Sequence, residues 1–172
     1  MDKKLGLDLR HIALFGMLGA VTFGAKVAMS ALPNIEPVSL MVMVFMAVFG
    51  WKGLYPVYVY VTMELLFYGL GLWNINYLYI WAVLALGSIA IRKLRNPIFW
   101  ALLSGLFGMG FGLLCTPVYA VTFGRFDYAL RWWLAGIPFD IPHAIGNFVI
   151  GLVLFAPLRK LMEICYKKKI IG

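Results

Sequence analysis

Charged side chains are scarce in this chain of 172 residues, and acidic ones most of all. Only 13% of the residues are charged and seven are acidic, whereas 63% are hydrophobic and the mean hydropathy is +0.91. A soluble domain of this length has too little interior to hide so much apolar surface. The composition therefore argues against a soluble globular protein and predicts an integral membrane protein, with lipid as the solvent for most of its surface.

Cysteine and histidine are equally sparse, with two of each. We expect Cys115 and Cys165 on opposite sides of the membrane and therefore no disulfide between them, and His11 and His143 are divided in the same way. Nothing in the sequence has the spacing of a metal-ligand cluster. We predict no metal site and no cofactor.

Sequence motifs for catalysis are missing as well. The chain has no Walker-type phosphate loop, no nucleophile elbow and no HExxH helix. Asp140 and His143 lie near each other, but no serine stands within local reach of the pair. We therefore expect no catalytic residues and predict that the protein is not an enzyme.

Six apolar segments fill the chain. Each membrane span needs roughly 20 residues, so no separate soluble domain fits beside them. We predict a single all-α membrane domain over residues 1–172 with six transmembrane helices. The segments run approximately over residues 10–31, 38–51, 55–71, 76–91, 97–120 and 141–158.

Basic residues are divided unevenly between the two sides of this arrangement. If six helices alternate, twelve of the fifteen fall on one side, which is the pattern of cytoplasmic segments. We therefore predict cytoplasmic N- and C-termini, and a net charge that serves contact with anionic membrane lipid and not nucleic acid. The twelve are Lys3, Lys4, Arg10, Lys52, Arg92, Lys93, Arg95, Arg159, Lys160, Lys167, Lys168 and Lys169.

Small residues recur every four positions along the first segment, at Gly16, Ala20, Gly24 and Ala28. On a helix this spacing keeps them on one narrow stripe, which allows another helix to approach closely. Two interpretations remain open. The stripe packs against helices of this protein, or it is a docking surface for a separate subunit.

The connections on the outer side mix aromatic, amide and charged residues. Such a mixture can stack on a flat ring and form hydrogen bonds with its edges, although tryptophan and tyrosine also form the ordinary belt at a membrane surface. We predict that these residues contribute to a ligand pocket. They are Glu36 in the first outer loop, Trp73, Asn74, Asn76 and Tyr79 in the second, and Arg131, Trp132 and Trp133 in the third, which spans roughly 121–140.

The start of the sixth segment carries Asp140, His143 and Asn147 at positions i, i+3 and i+7. This spacing places all three on one face of a helix, within the outer half of the bilayer. Polar groups at that depth need a ligand, a cavity or one another. We predict that they line the same pocket. Asp140 has an alternative role as the N-cap of this helix.

Two ionisable residues, Lys26 and Glu64, lie within apolar segments. At such depth a charged residue indicates a functional site, so Glu64 is also a candidate for ligand binding. The alternatives are a structural ion pair between the two, or a Lys26 side chain that extends outward to water.

Taken together, these features resemble the substrate-binding S component of energy-coupling factor (ECF) vitamin transporters. The resemblance covers nearly the whole chain. Its most specific parts are the small-residue stripe followed by LPNIEPVSLMVMVFMAVFGWKG, and IPFDIPHAIGNFVIGLVL at the start of the last helix. In that family the first helix bears an AxxxA-type docking motif, and here Gly24 stands at one of the small positions.

The resemblance implies high-affinity capture of a vitamin or related micronutrient on the extracellular side of a prokaryotic plasma membrane. It also implies partners, a membrane-embedded T subunit and two cytoplasmic ATPases, which complete an ABC-type importer. The family's ligand sites lie in the outer loops and the outer halves of the later helices, where the candidates above are found. Their aromatic content favours a ligand with a planar ring.

Two alternatives stand beside this interpretation. One is an integral membrane enzyme that uses Asp140 and His143, and the other is an assembly subunit that binds no small molecule. An enzyme should turn over a substrate without an ATPase, and an assembly subunit should bind no ligand.

Overall fold

The computed structural model describes residues 8–32 and 34–167. Over these ranges the chain is all-helical, as predicted, and the predicted basic residues Lys3, Lys4, Lys168 and Lys169 lie outside them. The helices are α1 (Leu9–Ala28), α2 (Val38–Phe49), a 3-10 turn (Gly50–Gly53), α3 (Leu54–Tyr68), α4 (Leu72–Ala90), α5 (Pro97–Met109), α6 (Phe111–Phe123) and α7 (Phe126–Lys167).

Five helical stretches of the described chain are long and apolar enough to cross a membrane. Large apolar side chains, among them Leu66, Leu106 and Val121, stand largely exposed on the outside of the bundle. In water such a surface would be costly, whereas in a bilayer it faces hydrocarbon. The stretches are Leu9–Ala28, Val38–Tyr68, Leu72–Ala90, Pro97–Phe123 and Phe126–Tyr166.

The stretch from Val38 to Tyr68 bends back on itself at the 3-10 turn. Gly50 has a positive φ of 62°, and a Cβ atom at Gly53 would lie 2.7 Å from the backbone oxygen of Phe45. In a straight helix, eight residues would separate these positions by about 12 Å. The predicted segments 38–51 and 55–71 are therefore two separate legs, α2 and α3.

Helix α2 is the centre of the bundle. Apart from Ser39 its residues are all apolar, which is typical of a helix surrounded by protein, and ten of its twelve residues are buried. Its C-terminal carbonyls are bound by Arg92, whose Nε donates to Ala47 and whose Nη2 donates to Val48. A cation at this end also complements the helix dipole.

Helix α1 is capped by Asp8, whose carboxylate accepts a hydrogen bond from the backbone N–H of His11. This bond, with a second one from the His11 ring, holds the pKa of Asp8 below its ordinary value. Further along, Gly19 faces α3 so closely that a Cβ atom there would lie 2.5 Å from Cγ1 of Val59 and 2.9 Å from the carbonyl oxygen of Pro56. Gly19 therefore provides the close contact between these two helices.

Helices α5 and α6 continue one another through Gly110 and pack along α7. Glycines make this contact close. A Cβ atom at Gly108 would lie 2.9 Å from the carbonyl oxygen of His143, and one at Gly112 would lie 2.6 Å from Oδ2 of Asp140. The backbone of α5 and α6 thus positions the segment of α7 that carries Asp140 and His143.

Helix α7 corrects the prediction of a third outer connection over 121–140. It begins at Phe126 and continues through Pro138, Pro142 and Pro157. Asp140 consequently lies within the helix, and its predicted role as an N-cap is wrong. Each proline removes one backbone hydrogen bond, but packing against α5 and α6 keeps the segment helical.

The two ends of the bundle differ in charge. The start of α1 and the end of α7 lie together, since the His11 ring is 6.3 Å from that of Tyr166. At this basic end Arg95 and Arg159 both pair with Glu163, at 2.9 and 3.0 Å. The C-terminal end of α1, the N-terminal end of α2 and the last turn of α3 lie toward the opposite end.

Candidate functional site

A cavity of about 330 Å³ lies toward the end of the bundle opposite the basic residues. Its wall comes from five helices and from the loop between α1 and α2, in which Asn34 takes a positive φ of 59°. The lining residues are Lys26, Met29, Ser30, Leu32, Asn34, Ile35, Glu36, Tyr60, Tyr68, Tyr77, Trp81, Phe111, Asp140 and His143.

One side of the cavity is acidic and carries the buried histidine. Glu36 accepts hydrogen bonds from the backbone N–H groups of Val38 and Ser39, so it caps α2 while it faces the cavity. Nε2 of His143 lies 3.6 Å from Oε1 of Glu36. Asp140 stands one turn earlier on α7, and its Oδ1 accepts a hydrogen bond from the Gly112 N–H at 3.3 Å.

The other side is aromatic. The ring centres of Tyr77 and Trp81 are 5.4 Å apart, and Tyr60 lies 6.4 Å from Tyr77. Phe111 connects this side to the acidic one, because its ring is 6.2 Å from Trp81 and 5.0 Å from His143. Aromatic rings in such offset and edge-on arrangements form a stiff wall suited to a flat ligand.

The Lys26 ammonium group lies against this aromatic wall. Its Nζ is 5.5 Å from the ring centre of Tyr77, 5.6 Å from that of Tyr68 and 2.6 Å from Oε2 of Glu64. Lys26 and Glu64 therefore form an ion pair, which was one of the alternatives raised by the sequence. Glu64 touches the cavity only through Lys26, since it is almost completely buried and does not line the wall.

Four polar atoms on the wall are buried without a hydrogen-bond partner among the described residues. They are the Tyr60 hydroxyl, Nε1 of Trp81, Oδ2 of Asp140 and Nε2 of His143. A buried polar group without a partner costs roughly 1–3 kcal/mol. Four of them around one cavity indicate a site that a polar ligand completes.

Asn147 lies behind Glu36, outside the cavity wall. Its Nδ2 donates to the Ser39 hydroxyl at 3.1 Å, and that hydroxyl donates to Oε1 of Glu36 at 2.8 Å. Asn147 therefore acts on the cavity through Glu36 and does not line it. The predicted face of Asp140, His143 and Asn147 is present on α7, with only the first two on the wall.

The remaining sequence candidates do not line the cavity, and several have structural partners. Oδ1 of Asn74 accepts the Gly71 N–H and so begins α4. Tyr79 donates to Asn76 and to the Leu114 carbonyl. Trp132 stacks on Tyr119 with ring centres 4.0 Å apart, and Trp133 lies beside Gly112. Trp73 and Arg131 are exposed, and a ligand role for all these residues stays a prediction.

The small-residue stripe of α1 faces outward. Ala20, Gly24 and Ala28 are exposed, Gly16 is half-buried, and a Cβ atom at Gly16 or Gly24 would meet no described atom within 4 Å. Internal packing instead uses Gly19, on another face of the helix. The stripe is therefore available to a partner, and its docking role stays a prediction.

Sequence reasoning missed the parts of the aromatic wall that lie on α3 and α6. Tyr60 and Phe111 line the cavity, yet each lies in an apolar segment where an aromatic residue is ordinary core. Tyr77 and Trp81 belong to the second outer connection, GLGLWNINYLYIW, which was predicted to contribute to a pocket. The available signal was Lys26, because a lone cation deep in an apolar segment is stabilised by a counter-ion and by aromatic faces nearby.

No group of three or more metal-ligating side chains occurs in the described part of the chain. Comparisons of the chain with family models, with curated proteins and with solved structures gave no match. Functional assignment therefore depends on the geometry of the cavity and on the resemblance found in the sequence.

Proposed function

We propose that this protein is the S component of an ECF-type importer in a prokaryotic plasma membrane. It captures a vitamin-like small molecule in the cavity between α1, α3, α4, α6 and α7. A T subunit and two cytoplasmic ATPases then take over the loaded protein and drive release on the other side. The protein itself performs no chemistry on the ligand.

The observation that carries this proposal is the set of four unpartnered polar atoms on an aromatic cavity wall. Ligand sites combine apolar and aromatic surface with a few precisely placed polar groups, and volumes of about 300 Å³ or more are usual for them. The cavity has this composition.

The membrane topology in this proposal has six crossings. Counting α2 and α3 as separate legs, and α5 with α6 as one, gives six passes with both described ends on one side. That side bears Arg92, Lys93, Arg95 and Arg159, so it is the cytoplasmic one by the distribution of basic residues. The cavity then opens toward the outside, where a nutrient arrives.

The first experiment is identification of a bound compound. The protein is purified in detergent from cells grown in rich medium and denatured, and the released small molecules are identified by mass spectrometry. A stoichiometric vitamin-like compound supports the proposal and names the ligand. If no compound is released and none of a panel of vitamins binds the purified protein, the proposal is wrong.

Replacement of His143 tests the site directly. His143→Ala should weaken binding of the identified compound by roughly tenfold to a hundredfold, the range for loss of a hydrogen bond that involves a charged group. His11→Ala is the matched control, since it removes the other histidine at the opposite end and should leave affinity unchanged. Equal affinity of both variants in equilibrium dialysis would remove His143 from the site.

A second variant tests docking. Gly24→Trp should fold and bind ligand normally but abolish ATP-dependent uptake in vesicles with the T subunit and ATPases, because the bulky ring covers the stripe. Gly19→Trp should instead destabilise the isolated protein, since Val59 already fills that space. Normal uptake by Gly24→Trp contradicts the docking role of the stripe.

The enzyme alternative keeps one observation in its favour. Asp140 and His143 both line the cavity and each offers an atom without a hydrogen-bond partner among the described residues. An enzyme would convert the bound compound in the absence of any ATPase. Recovery of the compound unchanged after long incubation with the purified protein would exclude this alternative.

A further inference from the structure

The charges around the cavity do not balance. Lys26 is the one lysine or arginine on the wall among the described residues, and its charge is matched by Glu64 at 2.6 Å. Glu36 and Asp140 then remain as acidic groups. With Lys26 and Glu64 included, the formal charge is −2, and protonation of His143 would still leave it at −1.

Neither of the two remaining carboxylates pairs with a lysine or arginine among the described residues, and the nearest ionisable base is His143, whose Nε2 lies 3.6 Å from Oε1 of Glu36. Glu36 binds backbone and hydroxyl donors, and Asp140 binds one backbone N–H. These are neutral groups, which stabilise a carboxylate without cancelling its charge. Oδ2 of Asp140 has no hydrogen-bond partner among the described residues and, as a carboxylate oxygen, accepts but does not donate.

The aromatic wall is also suited to positive charge. The faces of Tyr60, Tyr68 and Tyr77 already lie within 6.0 Å of the Lys26 ammonium nitrogen. The negative face of an aromatic ring attracts cations and repels anions, and the attraction grows when water is excluded. Trp81 and Phe111 extend this surface toward Asp140 and His143.

We infer that the ligand of this cavity is an organic cation with a planar ring and at least one N–H or O–H donor. The ring lies against Tyr77, Trp81 and Phe111, and the donor binds Oδ2 of Asp140. The positive charge lies between Glu36 and Asp140. Compounds whose only charge is a carboxylate or phosphate are excluded by the same acidic groups. This inference rests on the proposed function, because it names the class of substrate for that site.

A matched set of probes tests the charge requirement on the purified full-length protein. 3-Amino-1-methylquinolinium, 3-aminoquinoline and 3-aminoquinoline-4-carboxylate share one ring system and one N–H donor group, and carry charges of +1, 0 and −1 near neutral pH. Equilibrium dialysis should show the cation binding at least about tenfold tighter than 3-aminoquinoline, with the carboxylate weakest. Equal binding of the three, preference for the carboxylate, or binding of none at millimolar concentration overturns the inference.

Charge-neutralising variants locate the effect. Asp140→Asn and Glu36→Gln keep the size of each side chain and should each reduce the preference for the cation by about fivefold or more. Asp127→Asn is the control, since Asp127 is an exposed acid that pairs with Arg125 outside the cavity. Unchanged preference in both cavity variants overturns the inference even if the cation binds.

The compound released from the purified protein separates the two proposals. A released neutral or anionic compound overturns the charge requirement while the binding function stands. A released cation supports both. Failure to release or bind any vitamin removes the proposed function, and the quinoline series still decides whether the cavity selects cations.

Discussion

Lys26→Met should lower the free energy of unfolding by about 3–5 kcal/mol, the range found when one partner of a buried ion pair is removed. The reason is Glu64, whose side chain is 1% exposed and whose Oε2 lies 2.6 Å from Nζ of Lys26. Without the ammonium group the carboxylate remains in an apolar interior. Its other oxygen, Oε1, already has no hydrogen-bond partner among the described residues, so no second group takes over.

A double-mutant cycle measures this effect. Thermal unfolding in detergent is followed for Lys26→Met, Glu64→Met and the double variant, which replaces the pair by two apolar side chains. The double variant should be more stable than Lys26→Met, because no buried charge is left uncompensated. Lys93→Met, at the exposed basic end, should change stability by less than about 0.5 kcal/mol. If the stability lost in the double variant equals the sum of the losses in the two single variants, Lys26 and Glu64 are not coupled and the prediction is wrong.

Gly108→Ala should destabilise the protein by about 1–3 kcal/mol, although alanine favours helices more than glycine does. The added Cβ would lie 2.9 Å from the carbonyl oxygen of His143 and 3.0 Å from Cα of Ala144. These are backbone atoms, which cannot rotate away as a side chain can. Helix α7 therefore has to move away from α5.

That movement would also displace His143 from the cavity, so Gly108→Ala should weaken ligand binding in equilibrium dialysis. Gly136→Ala is the matched control on α7, because a Cβ there meets no described atom within 4 Å. It should raise stability by up to about 1 kcal/mol through helix propensity alone. If both variants shift the unfolding temperature in the same direction, the close contact at Gly108 does not determine the position of α7.

The fold was largely predictable because hydrophobicity and length dominate in a chain of this composition. The apolar segments predicted helices in the right places, including the two short legs that meet at Gly50–Gly53. The predicted start of the last helix, at residue 141, was wrong. The prediction relied on Pro138 and Pro142, because proline usually ends a helix in a soluble protein. Here the neighbouring α5 and α6 hold the segment in place, and local sequence does not report that tertiary contact.

The site was predictable only where polarity was unusual for its surroundings. Glu36, Asp140 and His143 stood out as polar residues next to apolar segments, and the structure brings them to one cavity. The tyrosines of α3 did not stand out, since an aromatic residue has the same appearance in a core, an interface or a ligand site. Helix α1 gives a second example. The four-residue spacing of small residues identified one face of the helix, but it did not show that this face points outward and that Gly19, on another face, makes the contact with α3.

The central helix links the cavity to the opposite end of the protein through its own electric field. Glu36 provides a negative charge at the N-terminal end of α2, and Arg92 provides a positive charge at its C-terminal end. Both charges have the signs that oppose the helix macrodipole, and water screens this interaction poorly because the helix is buried in protein. A positive charge that binds beside Glu36 would cancel one half of this compensation. Occupancy of the cavity would then alter the electrostatic potential along α2, as far as the arginine that holds its other end.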